Sequence, residues 1–418
     1  MGKFVINGGK RLQGSVDISP AKNACLPLIA SAILFSGQIL FENAPNITDV
    51  LIMAQIIENL GGSYRFVEQG LILDTCKIDN YEADCEICKK ARASFFIAGA
   101  LLSRFKKAIV PLPGGCNIGD RPVDIHISVL KQLGASIIMG EKCVYFDGEN
   151  MRASNVNLSY PSVGATVNAI TASVFLPGET YIYNAAKEPE IVNMCNFLNL
   201  CGCRISGAGG AVICIKGVNK LRAGKIKFLP IKDRIEAGTF MCMVGACGGE
   251  IIFKYDTFAS IYALSKKLIE CGVKVEYLNG YVKVLANKRV RATSVIADVY
   301  PMFPTDLQSI YCAFCATAFG ESIVEDRVFK KRFEFINELK KMGANIEVEG
   351  NKAIIKGVEK LCAASVYATD LRAGAGLVLA GLCTEGQTIV LNGEVVKRGY
   401  ANLEQKLSAL GASITYEN

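Results

Sequence analysis

Lys131–Ile137 reads KQLGASI: a helix-compatible run ending in Leu, a glycine at 134, then the start of a strand-like segment. The same phrase returns as ENLGGSY at 58–64, LNLCGCRI at 198–205, LIECGVKV at 268–275, KKMGANI at 340–346 and SALGASI at 408–414. Its glycines, at 61, 134, 202, 272, 343 and 411, lie 73, 68, 70, 71 and 68 residues apart, a regularity that six unrelated helix ends do not produce. Each stands where a helix wants a left-handed C-terminal cap, a backbone region that glycine enters without steric cost. The chain is therefore a repeat of six modules of about 70 residues, longer than the units of solenoids.

A second phrase recurs out of phase with the first: an apolar, Ala-rich helix, a turn that often holds Gly, and a β-branched strand. It appears as ASAILFSGQILFENA at 30–44, AGALLSRFKKAIVPL at 98–112 and ITASVFLPGETYIYNA at 170–185. The second half repeats it as MVGACGGEIIFKY at 243–255, CATAFGESIVED at 315–326 and LAGLCTEGQTIVLNG at 379–393. Each module thus holds two helices and several strands, which predicts an α/β protein of two domains with three modules each. The break between them is expected near 225–233, where KIKFLPIKD is basic, holds Pro230 and shows no helical period. Polar residues gather after the second phrase's strands, at Asn43, 114–121, 187–190, 326–332 and 392–398, and such loops are where α/β folds place their chemistry.

Composition narrows the class. With 418 residues, 51% hydrophobic and 20% charged, the chain has ample core for two domains. The longest apolar run, 24–35, is too short for a membrane span and contains Pro27. The segment MGKFVINGG has no apolar leader, and Ile6 stands where a myristoylation signal wants Ser or Thr, so a cytoplasmic protein is expected. Seventeen cysteines without a framework spacing read as reduced thiols. The pairs Cys85/Cys88 and Cys312/Cys315 sit in apolar helical surroundings and the only histidine is His126, so they read as packing residues, with no metal or other cofactor expected. A net charge of +7 without basic runs points to small anionic ligands, not to nucleic acid or a membrane.

The most chemically suggestive stretch is PLPGGCNIGDRPVDIH at 111–126, where Cys116 and Arg121 share a glycine-rich frame. A guanidinium there can favour a thiolate and grip an oxyanion; a turn with a packed cysteine is the plainer reading. SPAKNACLP at 19–27 places Lys22 and Asn23 at a helix start, where backbone N–H groups already attract anions. In FPTDLQ, Asp306 fits either a helix cap or a general base. ATDLRAGAGL puts Arg372 in a first helical turn, and VKRGYANL puts Arg398 beside a flexible glycine. Lys22, Arg92, Arg121, Arg332, Arg372 and Arg398 recur about once per module, which brings cations to one centre.

In this order, SPAKNACLP, ARASFF, PGGCNIGDRPVDIH, PSVGAT, NAAKEPEIV, DRIEAGTF, FPTDLQ, ATDLRAGAGL and RGY span nearly the whole chain. Together they resemble the UDP-N-acetylglucosamine 1-carboxyvinyltransferase family, the enolpyruvyl transferases of the first committed step of peptidoglycan synthesis. The resemblance implies two inside-out α/β barrels with threefold pseudosymmetry, one at 19–230 and one at 1–18 plus 231–418, with the active site in the cleft between them. It also implies that phosphoenolpyruvate is held by Lys22, Arg121, Arg332, Arg372 and Arg398. UDP-N-acetylglucosamine would meet Asn23, Arg92, Ser162, Val163, Gly164, Asp306 and Val328, and Pro122, Val123 and Asp124 would also be substrate-binding. In the implied roles Asp306 is the base for the 3'-hydroxyl and Cys116 the acid for the methylene carbon. Neither metal nor cofactor is implied, and the oligomeric state is left open.

Some positions depart from the family pattern. Tyr160 stands where Lys is common, Lys397 and Ala401 replace acidic residues, Lys331 replaces a neutral or acidic one, and the segment at 230–233 is two residues longer. They leave two alternatives beside the main reading: an enolpyruvyl transferase for another nucleotide acceptor, or a regulator that binds the nucleotide sugar without turnover.

Overall fold

The computed structural model describes residues 2–114, 123–287, 289–329 and 332–418. Cys116, Arg121, Pro122 and Lys331 lie outside the described residues. The chain divides into two compact units, one built from residues up to Ser19 and from Lys232 onward, the other from the intervening described chain between Pro20 and Ile231.

Each unit carries three small sheets. In the first unit, Val295–Ala297, Glu321–Asp326, Lys352–Lys356 and Asn345–Glu349 form one sheet, in that order. The strand of the second phrase, Glu321–Asp326, pairs in parallel with one neighbour and antiparallel with the other. The same pairing pattern builds the sheet around Gly249–Lys254 and the sheet around Gln387–Leu391. Those two sheets borrow strands from the start of the chain: Leu12–Ser15 lies parallel to Gly249–Lys254, and Lys3–Asn7 lies antiparallel to both Gln387–Leu391 and Ser413–Glu417. In the other unit the borrowing runs from end to start, with Gly224–Phe228 parallel to Gly37–Glu42. The sheet around Lys107–Pro111 has three strands, and the parallel partner present elsewhere is reduced to a single bridge, Glu82 to Ile109.

The strands alternate between buried and exposed residues, as in Lys352–Lys356, so each sheet has one wet face and one packed face. What they pack on are helices apolar all round. Every residue of Leu371–Leu382 (LRAGAGLVLAGL) is buried. A helix of this kind belongs at the centre of its layer. Its small residues permit close approach: a Cβ on Gly376 would stand 2.9 Å from the carbonyl oxygen of Ser309 on the helix Gln308–Cys315. Lys22–Ala32 and Val163–Ser173 are the equally buried helices of the other unit. Helices inside and sheets outside make each unit an inside-out α/β barrel.

The repeat glycines do what their spacing predicts. Gly61, Gly134, Gly202, Gly272, Gly343 and Gly411 have φ of 100, 97, 107, 95, 84 and 93°. In each case the following residue's N–H reaches back five positions, as Ala135 does to Leu130 and Val273 to Leu268, the bond that closes a Schellman cap. At Gly272 a Cβ would meet open space, so the φ alone demands glycine. No helix among the described residues is long and apolar enough to cross a membrane.

Candidate active site

The first unit gathers two of the expected cations around one expected carboxylate. Pro304 holds the backbone extended, Thr305–Leu307 makes a single 3-10 turn, and Gln308–Cys315 follows, so Asp306 projects at the mouth of a buried helix. The N-cap positions of this turn and of the helix after it are Pro304 and Leu307, not Asp306. Its Oδ1 accepts from Arg332 Nη2 at 3.2 Å and its Oδ2 from Arg372 Nη2 at 2.9 Å. Its side chain is 27% exposed, against 3% for that of Arg332 and 2% for that of Arg372. The acid is thus the accessible member of an ion triad whose cations are sunk into the protein.

Each cation is positioned by its own surroundings. Asp370 caps the helix Leu371–Leu382, accepting from the N–H groups of Arg372 and Ala373, which plants Arg372 in the first turn. Its guanidinium lies over the Tyr400 ring at 5.3 Å, and Tyr400 Oη is in turn 2.8 Å from Thr239 Oγ1. Burial works against the Arg372 charge, but Asp306, then Tyr400 and Asp233, outweigh it and raise its pKa. Arg332 donates through Nη1 to Thr305 O at 3.0 Å and Thr305 Oγ1 at 2.9 Å. Arg332 Nε and Arg372 Nη1 are buried with no hydrogen-bond partner among the described residues. Two buried cationic donors with spare capacity are suited to a small anion.

Val328 and Arg398 flank other loops of this unit, both half-buried. A Cβ on Gly399 would stand 2.7 Å from Leu371 Cδ2, so this glycine lies close against the side chain of the residue before Arg372. Lys397 turns away to the Tyr416 ring, 3.3 Å from its centroid. In the longer segment at 230–233, Lys232 Nζ donates to Asp17 Oδ1 at 2.7 Å and Ile18 O at 2.9 Å, tying this segment to the N-terminal residues of the same unit.

The other unit presents a different chemistry. Lys22 opens the helix Lys22–Ala32 and is buried, with Nζ 3.1 Å from Asp49 Oδ2. Asn23 beside it is half-buried. Ser162 caps the helix Val163–Ser173 by accepting from the Ala165 N–H. A Cβ on Gly164 would stand 2.6 Å from His126 Cε1 and 2.7 Å from Phe96 Cε1, so only glycine lets the helix start lie against this ring pair. Arg92 begins the 3-10 turn Arg92–Phe96, half-buried, with its pKa lowered by burial. Val123 and Asp124 lie at the start of the helix Asp124–Gln132, lining with Leu112, Pro113, Ile127 and Met139 an open hollow of about 830 Å³. Tyr160, where the family commonly has Lys, is 39% exposed.

His126 is held as a neutral ring in one tautomer. The Gly99 N–H donates to Asn168 Oδ1, which orients the amide, and Asn168 Nδ2 then donates to Phe95 O and to His126 Nδ1 at 2.8 Å. Nδ1 is an acceptor, so the proton sits on Nε2. Burial first, and the Arg92 charge second, push the His126 pKa down to about 3. Sequence reasoning found Lys22, Asp306 and the arginines but missed Asp49, Thr305, Tyr400 and Asn168. Nothing local marks them, since their partners stand 27, 27, 28 and 42 residues away. Among the described residues no group of three or more His, Cys, Asp or Glu side chains gathers to hold a metal ion.

The comparisons with known proteins follow the same lines. Residues 6–407 match the family model of EPSP synthase (3-phosphoshikimate 1-carboxyvinyltransferase). UDP-N-acetylglucosamine 1-carboxyvinyltransferase 2 of Carboxydothermus hydrogenoformans is 44% identical, with 99% of each chain covered. The protein of the same name from Caldanaerobacter subterraneus subsp. tengcongensis is 42% identical, again over 99% of both chains. Among solved structures, the enolpyruvyl transferase NikO of Streptomyces tendae superposes with a TM-score of 0.87 at 23% identity, covering 99% of this chain and 98% of that one. EPSP synthase of Acinetobacter baumannii gives 0.75 at 16% identity over the full length of both, so the fold persists where sequence likeness has faded. With full-length relatives above 40% identity and a matching fold, the chain belongs to the UDP-N-acetylglucosamine 1-carboxyvinyltransferase family of enolpyruvyl transferases.

Proposed function

We infer that this chain transfers the enolpyruvyl group of phosphoenolpyruvate to the 3'-hydroxyl of UDP-N-acetylglucosamine, releasing phosphate, in the cytoplasm and as the first committed step of peptidoglycan synthesis. The observation that carries the reading is the Arg332–Asp306–Arg372 cluster: an accessible carboxylate beside two buried cations that retain unused donors. Addition requires the hydroxyl to lose a proton as the methylene carbon of phosphoenolpyruvate gains one, so a base and an acid are wanted in the same encounter. Asp306 takes the base role. Cys116, in the loop outside the described residues, takes the acid role. The new C–O bond forms at C2, and loss of a methyl proton with departure of phosphate restores the enol.

The anion would be held by Arg332, Arg372 and Arg398 with Arg121 and Lys22; the guanidiniums of Arg332 and Arg372, buried and hydrogen-bonded, stabilise charge without having to reorganise. Asn23, Arg92, Ser162, Val163, Gly164 and Val328 would contact the UDP-sugar. A second reading rests on Tyr160, exposed where the family commonly places a cation: the acceptor is another nucleotide. The deciding measurement is phosphate release from phosphoenolpyruvate with UDP-N-acetylglucosamine or with other nucleotide sugars. Release with the first supports the main reading, and release only with another promotes the second.

A further inference from the structure

Asp326 closes the strand Glu321–Asp326, wholly buried, at a place where the repeat itself supplies a comparison. In four modules the strand follows a glycine, Gly37, Gly178, Gly320 or Gly386, and the sixth residue after it is Asn43, Asn184, Asp326 or Asn392; in a fifth, after Gly249, it is Tyr255. The three asparagines share one solution: left-handed φ of 55, 53 and 58°. Two of them also donate Nδ2 to a carbonyl, Leu158 O from Asn184 and Ala368 O from Asn392. Asp326 stays out of the left-handed region and can donate nothing when ionised. Instead its Oδ1 accepts from the N–H groups of Val328 and Phe329, both at 2.9 Å, and its Oδ2 from Thr305 Oγ1 at 2.6 Å.

That last bond fixes a direction. The Thr305 hydroxyl has one proton, and Asp326 takes it, so toward Arg332 the oxygen can only accept; Arg332 Nη1 donates to it at 2.9 Å. A chain runs from guanidinium to hydroxyl to carboxylate, each bond polarising the next. It turns the guanidinium so that Nη2 meets Asp306 while Nε remains buried and unused among the described residues. Burial raises the Asp326 pKa, against the pull of the Thr305 hydroxyl, the two N–H groups and Arg332.

We propose that Asp326 is a positioning residue for the reaction, aiming Arg332 at Asp306 and at the substrate anion through the Thr305 hydroxyl. The proposal rests on the enolpyruvyl transfer assigned above. It makes the aspartate at this repeat position a functional departure from the asparagine that stands there in three other modules.

Asp326→Asn is the sharpest test. The amide oxygen still accepts from Val328 and Phe329, but the amide nitrogen faces Thr305, whose hydroxyl loses the acceptor for its proton and with it the fixed direction of the relay. Thr305→Val removes the relay and leaves the Asp326 charge in place, while Thr305→Ser keeps it. With the full-length enzyme, kcat/KM for phosphoenolpyruvate is expected to fall roughly 10²-fold in Asp326→Asn and Thr305→Val, the size of a 1 Å misplacement, with UDP-N-acetylglucosamine binding within about threefold of wild type. Thr305→Ser should restore most of the loss, and adding Asp326→Asn to Arg332→Ala should cost little further. Crystal structures of Asp326→Asn and Thr305→Val should show Arg332 Nη2 withdrawn from Asp306. Unchanged geometry in both, or equal losses for both ligands without rescue by Thr305→Ser, overturns the proposal. A wild-type protein inert toward both substrates would instead overturn the assigned reaction, and the crystal structures would still decide whether Asp326 aims Arg332.

Discussion

The two units arrange their candidate residues on opposite principles. In the unit that contains Asp306, the groups are charged side chains from a 3-10 turn, a loop and a helix start, and their positions depend on one another: Arg332 and Arg372 hold both oxygens of one carboxylate. In the unit that contains Gly164, they are a helix start, a neutral His126 and a glycine that a single methyl group would displace. Around Asp306 the arrangement is organised by electrostatics in a poorly solvated place; around Gly164 it is organised by backbone and shape, although the same unit also holds the buried Lys22–Asp49 ion pair. The difference teaches where each arrangement is vulnerable: the first to loss of charge at constant shape, the second to added volume at constant charge.

The largest effect should come from Asp306→Asn, which keeps shape and removes the base. A positioned base contributes roughly 10²- to 10⁴-fold, so kcat should fall by that factor while calorimetry still detects the nucleotide sugar. Near-normal turnover would take Asp306 out of the base role. Next comes Arg398→Ala, where a ligand anion left under-compensated costs about 2 to 5 kcal/mol. The loss should appear in phosphoenolpyruvate kinetics far more than in UDP-sugar affinity, and an equal loss in both would contradict the separation of roles.

Gly164→Ala tests the other arrangement. A Cβ at 2.6 Å from the buried His126 ring forces the helix start or the ring to move, and overpacking of this kind costs about 1 to 3 kcal/mol. Nucleotide-sugar affinity should weaken while phosphoenolpyruvate affinity, measured by direct binding, holds. The smallest effect concerns pH. Folded His126 stays neutral down to about 3, whereas an unfolded histidine protonates near 6.5, so the unfolded state binds the extra proton between those values. Stability contributed by this ring is complete above about 6.5 and is lost as pH falls, by at most about 1.4 kcal/mol per pH unit. Urea midpoints of wild type and His126→Gln at pH 7 and pH 5 should show the flatter profile in the variant.

The repeat was legible in the sequence because a left-handed helix cap admits few residues besides glycine, so six glycines at even spacing expose six helix ends. Lys22, Arg372 and Asp306 could be singled out because they sit at helix starts inside distinctive strings. What could not be read is pairing across loops. Asp49 looks like an ordinary first-turn acid in TDVLIM until the fold sets it against Lys22. Thr305 and Asp326 stand 21 residues apart on different elements, and only the folded backbone brings them to 2.6 Å. The strands that the start of the chain lends to two sheets are equally invisible, because a strand's own pattern does not name its partner.

That lending bears on the order in which the polypeptide can mature as it is made. The unit spanning 20–231 draws on one continuous stretch, so its contacts can close while the remainder is still being translated. The other cannot: Lys3 pairs with Glu417 and Asn7 with Ser413, so the strand Lys3–Asn7 waits for one that is made far later. Until then Phe4 and Ile6, both completely buried in the finished protein, have no permanent cover, and the nascent chain carries an unpaired β-edge.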